Sequence, residues 1–153
     1  MYPHPVARVL LVEDSAAMRS FIRAALEAAD DAAAPAVDIT VVEASSGFEA
    51  LRLLPRGPYD LVITDINMPD INGLELVNFI RKSEHHRTTP LIIVSTQAAE
   101  RDRTRGIALG ADAFIAKPFE PEELRDLVVA FLTRGRRSSP GGRPSGTPSG
   151  GAG

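Results

Sequence analysis

Residues 8–29 read RVLLVEDSAAMRSFIRAALEAA, and two patterns in this stretch decide the fold. The first is Val9–Val12, a short aliphatic run that is typical of a strand buried on both faces of a parallel sheet. In the second, apolar side chains recur at helical spacing over 18–29, so one stripe of a helix is apolar. The acids Glu13 and Asp14 lie between the two patterns. The stretch therefore predicts a strand, a polar turn and a helix.

The same alternation continues along the chain. Further short apolar runs lie at Ile39–Val42, Leu61–Ile63, Leu91–Val94 and Ala113–Ala116. Apolar positions at helical spacing follow these runs, over 48–54, 74–80, 98–109 and 124–131. The third of these helical segments has the weakest pattern, because its charges form one block from Glu100 to Arg105. Five strand–helix units predict a doubly wound α/β domain, with a five-stranded parallel sheet and helices on both faces.

Composition limits the class of protein. The chain has 153 residues, of which 44% are hydrophobic and 24% are charged, as in an ordinary globular domain. The longest apolar run is Leu127–Leu132, whereas a membrane-spanning helix needs about 20 residues. The N-terminus lacks the features of a secretory signal. Cysteine is absent, which excludes disulfides, thiolate catalysis and cysteine-based zinc sites. We expect one domain in the cytoplasm, with no membrane segment.

Charge is unevenly distributed. The net charge is −3, but four arginines and no acids follow Thr133, so residues 1–133 carry −7. An acidic body argues against a general nucleic-acid surface. Residues 134–153 are nearly all Gly, Pro, Ser and Arg, a composition that predicts disorder. We therefore expect a lead-in at 1–5, a folded domain at 6–133 and a disordered tail at 134–153.

Polar residues follow four of the five predicted strands. These residues are Glu13, Asp14, Asp65, Ser95 and Lys117. Because the carboxyl ends of parallel strands meet at one edge of a sheet, where such folds bind ligands, we expect these side chains to lie together.

Each of these residues alone has an ordinary explanation. Asp14 could cap the first helix, Asp65 could serve a turn, and Lys117 could be a solvated loop residue. Three carboxylates without a counterion, however, would repel one another and raise one pKa. Oxygen-only ligands suit Mg²⁺ (or Mn²⁺), and such a site shares phosphate groups readily. The set therefore predicts a phosphoryl-transfer site with a carboxylate nucleophile.

Four segments together resemble the receiver domain of two-component response regulators, of the CheY-like kind. They are LLVEDS at 10–15, LVITDINMPDINGLEL at 61–76, LIIVST at 91–96 and GADAFIAKPF at 110–119. The resemblance covers residues 6–133. It implies a flavodoxin-like sheet with the strand order 2-1-3-4-5 and five helices.

The resemblance also implies roles for the acidic residues. Asp65 would be the phosphoacceptor, taking a phosphoryl group from the phosphohistidine of a histidine kinase. Asp14 and Asp65 would bind Mg²⁺ directly, together with the backbone carbonyl of Asn67. Glu13 would act on the metal mostly through water.

Further roles follow from the same resemblance. Lys117 would pair with the phosphoryl oxygens, Ser95 would hydrogen-bond to the phosphoryl group, and Phe114 would rotate inward as a switch aromatic. The bond between Lys117 and Pro118 would be cis, which is energetically plausible for an X-Pro bond. Asn67 and Gln97 would tune dephosphorylation; neither is a carboxylate, so we expect no exceptional rate of self-dephosphorylation.

Three minor expectations concern glycine and histidine. The resemblance implies that Gly73 begins the third helix and that Gly110 ends the fourth in a left-handed conformation. His85 and His86 lie near loop-breaking residues, so we expect both in a solvated loop.

The predicted function is that of a single-domain response regulator, not an enzyme beyond its own Mg²⁺-dependent phosphorylation and dephosphorylation. Its partners would be a sensor histidine kinase or a histidine phosphotransferase, and a target protein bound through the helix 4–strand 5–helix 5 face. We expect no DNA-binding domain. The alternatives are a phosphate-shuttling relay intermediate and a phosphorylation-independent pseudo-receiver scaffold. A phosphohydrolase of the haloacid dehalogenase type would need an acid where Asn67 stands.

Overall fold

The computed structural model describes residues 6–28, 37–96 and 100–138. Strands and helices alternate from one end to the other. The strands are β1 (Val6–Val12), β2 (Asp38–Ala44), β3 (Leu61–Asp65), β4 (Leu91–Ser95) and β5 (Ala113–Ala116). The helices are α1 (Ala16–Glu27), α2 (Gly47–Leu53), α3 (Gly73–Lys82), α4 (Glu100–Leu109) and α5 (Pro121–Ser138). A single 3₁₀ turn, Leu54–Arg56, follows α2.

The five strands form one parallel sheet in the order β2-β1-β3-β4-β5, which confirms the predicted fold. Every residue of the inner strands β3 and β4 is buried, because helices cover both faces of the sheet. The edge strand β2 alternates between exposed and buried positions along its first half. The uninterrupted apolar runs therefore mark the middle of the sheet.

Alternate residues of a strand point to opposite faces, and this divides the core in two. Leu11 packs with residues of α1 and α5 on one face. Its neighbours Leu10 and Val12 pack with residues of α2 and α3 on the other face. The sheet is thus the middle layer of three, and its carboxyl edge lies open between the helix layers.

Side-chain caps fix where the first three helices begin. The hydroxyl of Ser15 accepts a hydrogen bond from Met18 N at 3.2 Å and caps α1. Ser46 caps α2 in the same way, and Asn72 forms a capping box with Glu75 at the start of α3. Because the N-cap position of α1 is occupied by Ser15, whose hydroxyl satisfies one free N–H group of the helix, Asp14 is not the cap.

Helix α4 rests on the sheet through a glycine. Gly106 is buried, and a Cβ atom added there would lie 2.6 Å from Cδ1 of Ile93 on β4. The helix ends at Gly110, whose φ of +123° is the left-handed conformation expected from the sequence. The described part of α4 starts at Glu100, so the predicted residues 98 and 99 lie outside the described residues.

Two segments differ from the sequence expectations. Phe48 was assigned to an apolar stripe, yet it is 61% exposed, because the short helix α2 packs through Gly47 and Ala50. Helix α5 continues to Ser138, whereas the tail was expected from residue 134. The predicted lead-in and residues 139–153 lie outside the described residues.

The expectation of a solvated loop is wrong for His86. Its side chain is 3% exposed, with Nε2 at 3.0 Å from the carbonyl oxygen of Leu54 and Nδ1 at 3.3 Å from Oγ1 of Thr89. A carbonyl oxygen only accepts, so Nε2 carries the proton. The ring also packs against Tyr59, with 5.8 Å between ring centroids. His86 therefore joins the α3–β4 loop to the 3₁₀ turn, while His85 is exposed as expected.

Among the residues that the structure describes, no helix has the length and apolar character needed to span a bilayer.

Gly73→Ala is expected to destabilise the fold. A Cβ atom at Gly73 would fall on the backbone carbonyl oxygen of Asp65 and against Ile66, and neither backbone group can move without disturbing β3. Overpacking of this kind costs about 3 kcal/mol, measurable as a loss of unfolding free energy in urea. Gly57→Ala is the control, since its Cβ atom would meet the flexible end of Arg8. Equal stability of the two variants would contradict this description of the β3–α3 junction.

Candidate functional site

The carboxyl edge of the sheet brings three acidic side chains together. Glu13 and Asp14 follow β1, and Asp65 is the last residue of β3. One carboxylate oxygen from each residue lies within 4.8 Å of the other two. Glu13 and Asp65 are buried, whereas Asp14 is exposed, so the cluster can be reached from solvent on the side of Asp14.

Lys117 supplies positive charge to this cluster. It follows β5, and its Nζ lies 2.9 Å from Oε1 of Glu13 and 3.3 Å from Oδ2 of Asp65. All three side chains are more than nine-tenths buried. The peptide bond between Lys117 and Pro118 is cis. Buried charges persist only when they are paired and hydrogen-bonded, and Lys117 pairs two of them.

Glu13 is held on several sides. Its Oε2 accepts a hydrogen bond from Ser15 N at 3.1 Å, and its Oε1 accepts one from Lys117. Burial raises the pKa of Glu13 above its ordinary value, and the charge of Asp65 adds to this effect, while the hydrogen bonds from Lys117 and Ser15 oppose it.

The donor set suits a hard divalent cation. Three carboxylates face one lysine, so the cluster keeps an excess of negative charge. All the candidate donors are oxygens, which Mg²⁺ prefers. Asn67 lies beside the cluster, and its backbone N–H donates to Oδ1 of Asp65 at 3.4 Å. The acidic cluster can therefore hold a metal ion.

Ser95 lies at the same edge, at the end of β4. It is fully buried, it pairs in register with Ala116, and its carbonyl oxygen accepts a hydrogen bond from Lys117 N at 2.8 Å. The backbones of Ser95 and Lys117, two residues of the predicted site, are therefore next to each other at the edge of the sheet. Gln97 lies outside the described residues.

Phe114 lies on β5, behind this edge. The ring is 9% exposed and packs within the core on the α2–α3 face. The guanidinium of Arg103 on α4 lies 5.8 Å from the ring centroid. The aromatic ring predicted to rotate inward is therefore already buried in this conformation, beneath a cation of α4.

Asp70 is a residue of the site region that sequence reasoning missed. Its carboxylate accepts hydrogen bonds from the backbone N–H groups of Gly47, Phe48 and Ile71 at 3.1, 2.9 and 2.7 Å. These hydrogen bonds, that from Phe48 above all, lower the pKa of Asp70 to about 2. Asp70 thus ties the start of α2 to the loop that follows Asp65. A turn aspartate is visible in the sequence, but partners more than 20 residues earlier are not.

The fold and the acidic cluster together are those of a receiver domain of two-component signalling. Residues 9–129 match the response regulator receiver domain family, and the chain belongs to this family.

Several relatives illustrate the match. The chain is 34% identical to a chemotaxis protein CheY homologue of Campylobacter jejuni over 131 residues, which cover 84% of this chain and 94% of that protein. It is 37% identical to a probable transcriptional regulatory protein of a Picosynechococcus strain over 143 residues, which cover 88% of this chain but 53% of that protein. The chain spans about half the length of several of the curated relatives that it matches.

Solved structures agree with this assignment. The chemotaxis response regulator CheY4 of Vibrio cholerae superposes with a TM-score of 0.72 at 31% identity, covering 82% of this chain and 98% of that one. A receiver domain of the sensor histidine kinase PA1611 from Pseudomonas aeruginosa gives a TM-score of 0.72 at 27% identity over 83% of this chain and 98% of that one. The latter structure holds a magnesium ion in its active site cleft.

Lys117→Met is expected to destabilise the protein, because it leaves the buried carboxylate of Glu13 without its cation. Loss of one partner of a buried pair costs about 3 kcal/mol, and added Mg²⁺ should restore part of the loss by binding the folded state. Urea denaturation at neutral pH, with and without MgCl₂, measures both effects. The control is Lys82→Met, because Lys82 is the other lysine of the chain and is exposed. A Lys117→Met protein as stable as the control would refute the buried ion pair.

Asp70→Asn is expected to lower stability at neutral pH, because an amide accepts the three N–H bonds less well than a carboxylate. The folded-state pKa of about 2 lies below the ordinary 3.8, so the contribution is fully present above about pH 4 and is lost as the pH falls towards 2. Unfolding curves of both proteins should therefore converge as the pH falls through this range. Asp126→Asn, at an exposed position of α5, controls for the loss of one charge. A stability difference that stays constant with pH would count against the capping role.

Proposed function

We propose that the protein accepts a phosphoryl group on Asp65 from the phosphohistidine of a sensor histidine kinase or a histidine phosphotransferase. The observation that carries this proposal is the position of the Asp65 carboxylate, inside an acidic cluster and 3.3 Å from Lys117. A carboxylate in such surroundings is an established phosphoryl nucleophile. The family membership of residues 9–129 supports the same reaction.

In the proposed reaction, an oxygen of Asp65 attacks phosphorus in line with the leaving imidazole. The phosphorus–nitrogen bond breaks, its electron pair stays on the imidazole nitrogen, and a new phosphorus–oxygen bond forms on Asp65. Asp14, Asp65 and the backbone carbonyl of Asn67 would hold Mg²⁺ directly, and Glu13 would act mainly through water. When bound, Mg²⁺ would neutralise charge on the phosphoryl oxygens. We propose Mn²⁺ as a substitute with the same oxygen preference.

Lys117 is placed to follow the charge as it moves. Its Nζ is closer to Glu13 than to Asp65, at 2.9 against 3.3 Å. The lysine can therefore keep its contact with Glu13 while it turns towards the new phosphoryl oxygens. This arrangement preserves a partner for the buried Glu13 throughout the reaction.

We propose that the signal leaves the domain through the α4–β5–α5 face. Ser95 and Phe114 would respond to the phosphoryl group, and α4 would adjust with them. Support comes from two contacts of α4 with the sheet: Gly106 packs closely on Ile93 of β4, and the guanidinium of Arg103 lies 5.8 Å from the centroid of the Phe114 ring on β5. A movement of the Phe114 ring would therefore reach α4 directly, and phosphorylation would change the population of the states of this helix.

The finer assignment is also part of the proposal. We favour a cytoplasmic single-domain regulator that binds a target protein, because the match to the Campylobacter jejuni CheY homologue covers 94% of that protein. A relay intermediate would differ in the lifetime of its phosphoryl group and in transfer back to histidine. A scaffold that is never phosphorylated would not need the assembled acids and Lys117. Asn67 and Gln97 would set an ordinary dephosphorylation rate.

Incubation with acetyl phosphate and Mg²⁺ is expected to add one phosphoryl group to the wild-type protein and none to Asp65→Asn. Intact-mass spectrometry measures the addition, and omission of Mg²⁺ should prevent it. Asp60→Asn is the matched control, because Asp60 lies before β3 and its carboxylate binds Arg8 N at 2.8 Å, away from the cluster. Phosphorylation of the Asp65→Asn protein at the wild-type level would contradict the proposal.

A further inference from the structure

Outside the acidic cluster, a second charged group crosses from α1 to β2. Arg19 on α1 pairs with Glu43 on β2, with 3.1 Å between Nε and Oε1. Arg23, one turn further along α1, pairs with the other oxygen of Glu43 at 2.7 Å and with Glu27 at 3.2 Å. Arg23, followed by Arg19, lowers the pKa of Glu43, so Glu43 is ionised at neutral pH.

Arg19 differs from Arg23 in a further contact. Its Nη1 donates a hydrogen bond to the backbone carbonyl oxygen of Glu13 at 2.8 Å. The N–H group of Glu13 donates to the carbonyl oxygen of Ala44 at 3.0 Å. Ala44 follows Glu43 on β2. Both backbone groups of Glu13 are therefore fixed, one by strand β2 and the other by a side chain that β2 orients.

We propose that Arg19, oriented by Glu43, is a positioning residue that sets the β1–α1 loop in the geometry needed for a divalent cation at Glu13, Asp14 and Asp65. This inference rests on the proposed function, since it assigns a role towards the same cation site. Towards the cluster, Arg19 contacts the backbone carbonyl oxygen of Glu13 and not its carboxylate. It acts through the peptide unit that joins Glu13 to Asp14.

Two physical effects of Arg19 on cation binding have opposite signs. As a positive charge near an acidic cluster, Arg19 would weaken cation binding, so its removal would strengthen binding. As a positioning residue, it strengthens binding, so its removal would weaken binding. Its ion pair with Glu43 largely offsets its charge at the cluster, and we therefore expect the positioning effect to dominate.

Arg19→Gln is expected to raise the dissociation constant for Mg²⁺ by about tenfold, the lower end of the range for groups that orient metal ligands. Titration of the full chain with MgCl₂, followed by the amide NMR shifts of residues 13–15, gives this constant. Arg19→Lys, which keeps the charge and one donor, should lie between the wild type and Arg19→Gln. Arg23→Gln should bind Mg²⁺ as the wild type does, although it loses contacts with the same Glu43.

Thermal unfolding of each variant separates positioning from a general loss of stability. A weaker Mg²⁺ affinity in Arg19→Gln, at a melting temperature comparable with that of Arg23→Gln, supports the inference. An unchanged or stronger affinity in Arg19→Gln overturns it, and so does an equal loss in both variants. Wild-type protein that fails to bind Mg²⁺ would overturn the proposed function as well, whereas normal wild-type binding confines the failure to Arg19.

Discussion

The contact of Lys117 with Glu13 and Asp65 is the interaction on which the site depends. A parallel sheet delivers the residues that follow its strands to one edge, and here three of these residues are acids. Two of the acids are buried, where unbalanced charge is costly. Lys117 follows the edge strand β5, which β4 separates from β3, and it compensates part of that charge at 2.9 and 3.3 Å. The remaining negative charge is what suits the cluster to a cation and a phosphoryl group.

Other contacts fix the loops that carry these charged residues. Ser15 caps α1 and also binds the carboxylate of Glu13, so one residue serves the helix and the site. Asp70 ties α2 to the loop after Asp65. These contacts lie in loops, yet each links two elements of regular structure. The loops of the site are therefore tied to the regular structure on either side of them.

Periodicity and strand ends were enough to predict a doubly wound α/β domain and to bring the acids and Lys117 together, whereas the strand order came from the resemblance to receiver domains. The prediction worked because uninterrupted apolar runs such as Leu91–Val94 mark central strands, and the residues after them necessarily share an edge. The roles of Asp70 and His86 could not be predicted, because their partners are distant in sequence: Asp70 caps a helix that starts at Gly47, and His86 binds Leu54. The exposure of Phe48 could not be predicted either, since a seven-residue helix buries too few positions for the spacing of apolar residues to identify its buried face.

The most direct test of the central claim is an NMR titration with beryllofluoride, a mimic of the phosphoryl group, in the presence of Mg²⁺. The account predicts saturable shifts centred on the amides of Asp65, Ser95 and Lys117, with the amide of Phe114 following. These shifts should require Mg²⁺ and should be absent when the Asp65 carboxylate is replaced by an amide. Spectra that do not change with both reagents present, or that change equally without the carboxylate, would contradict it.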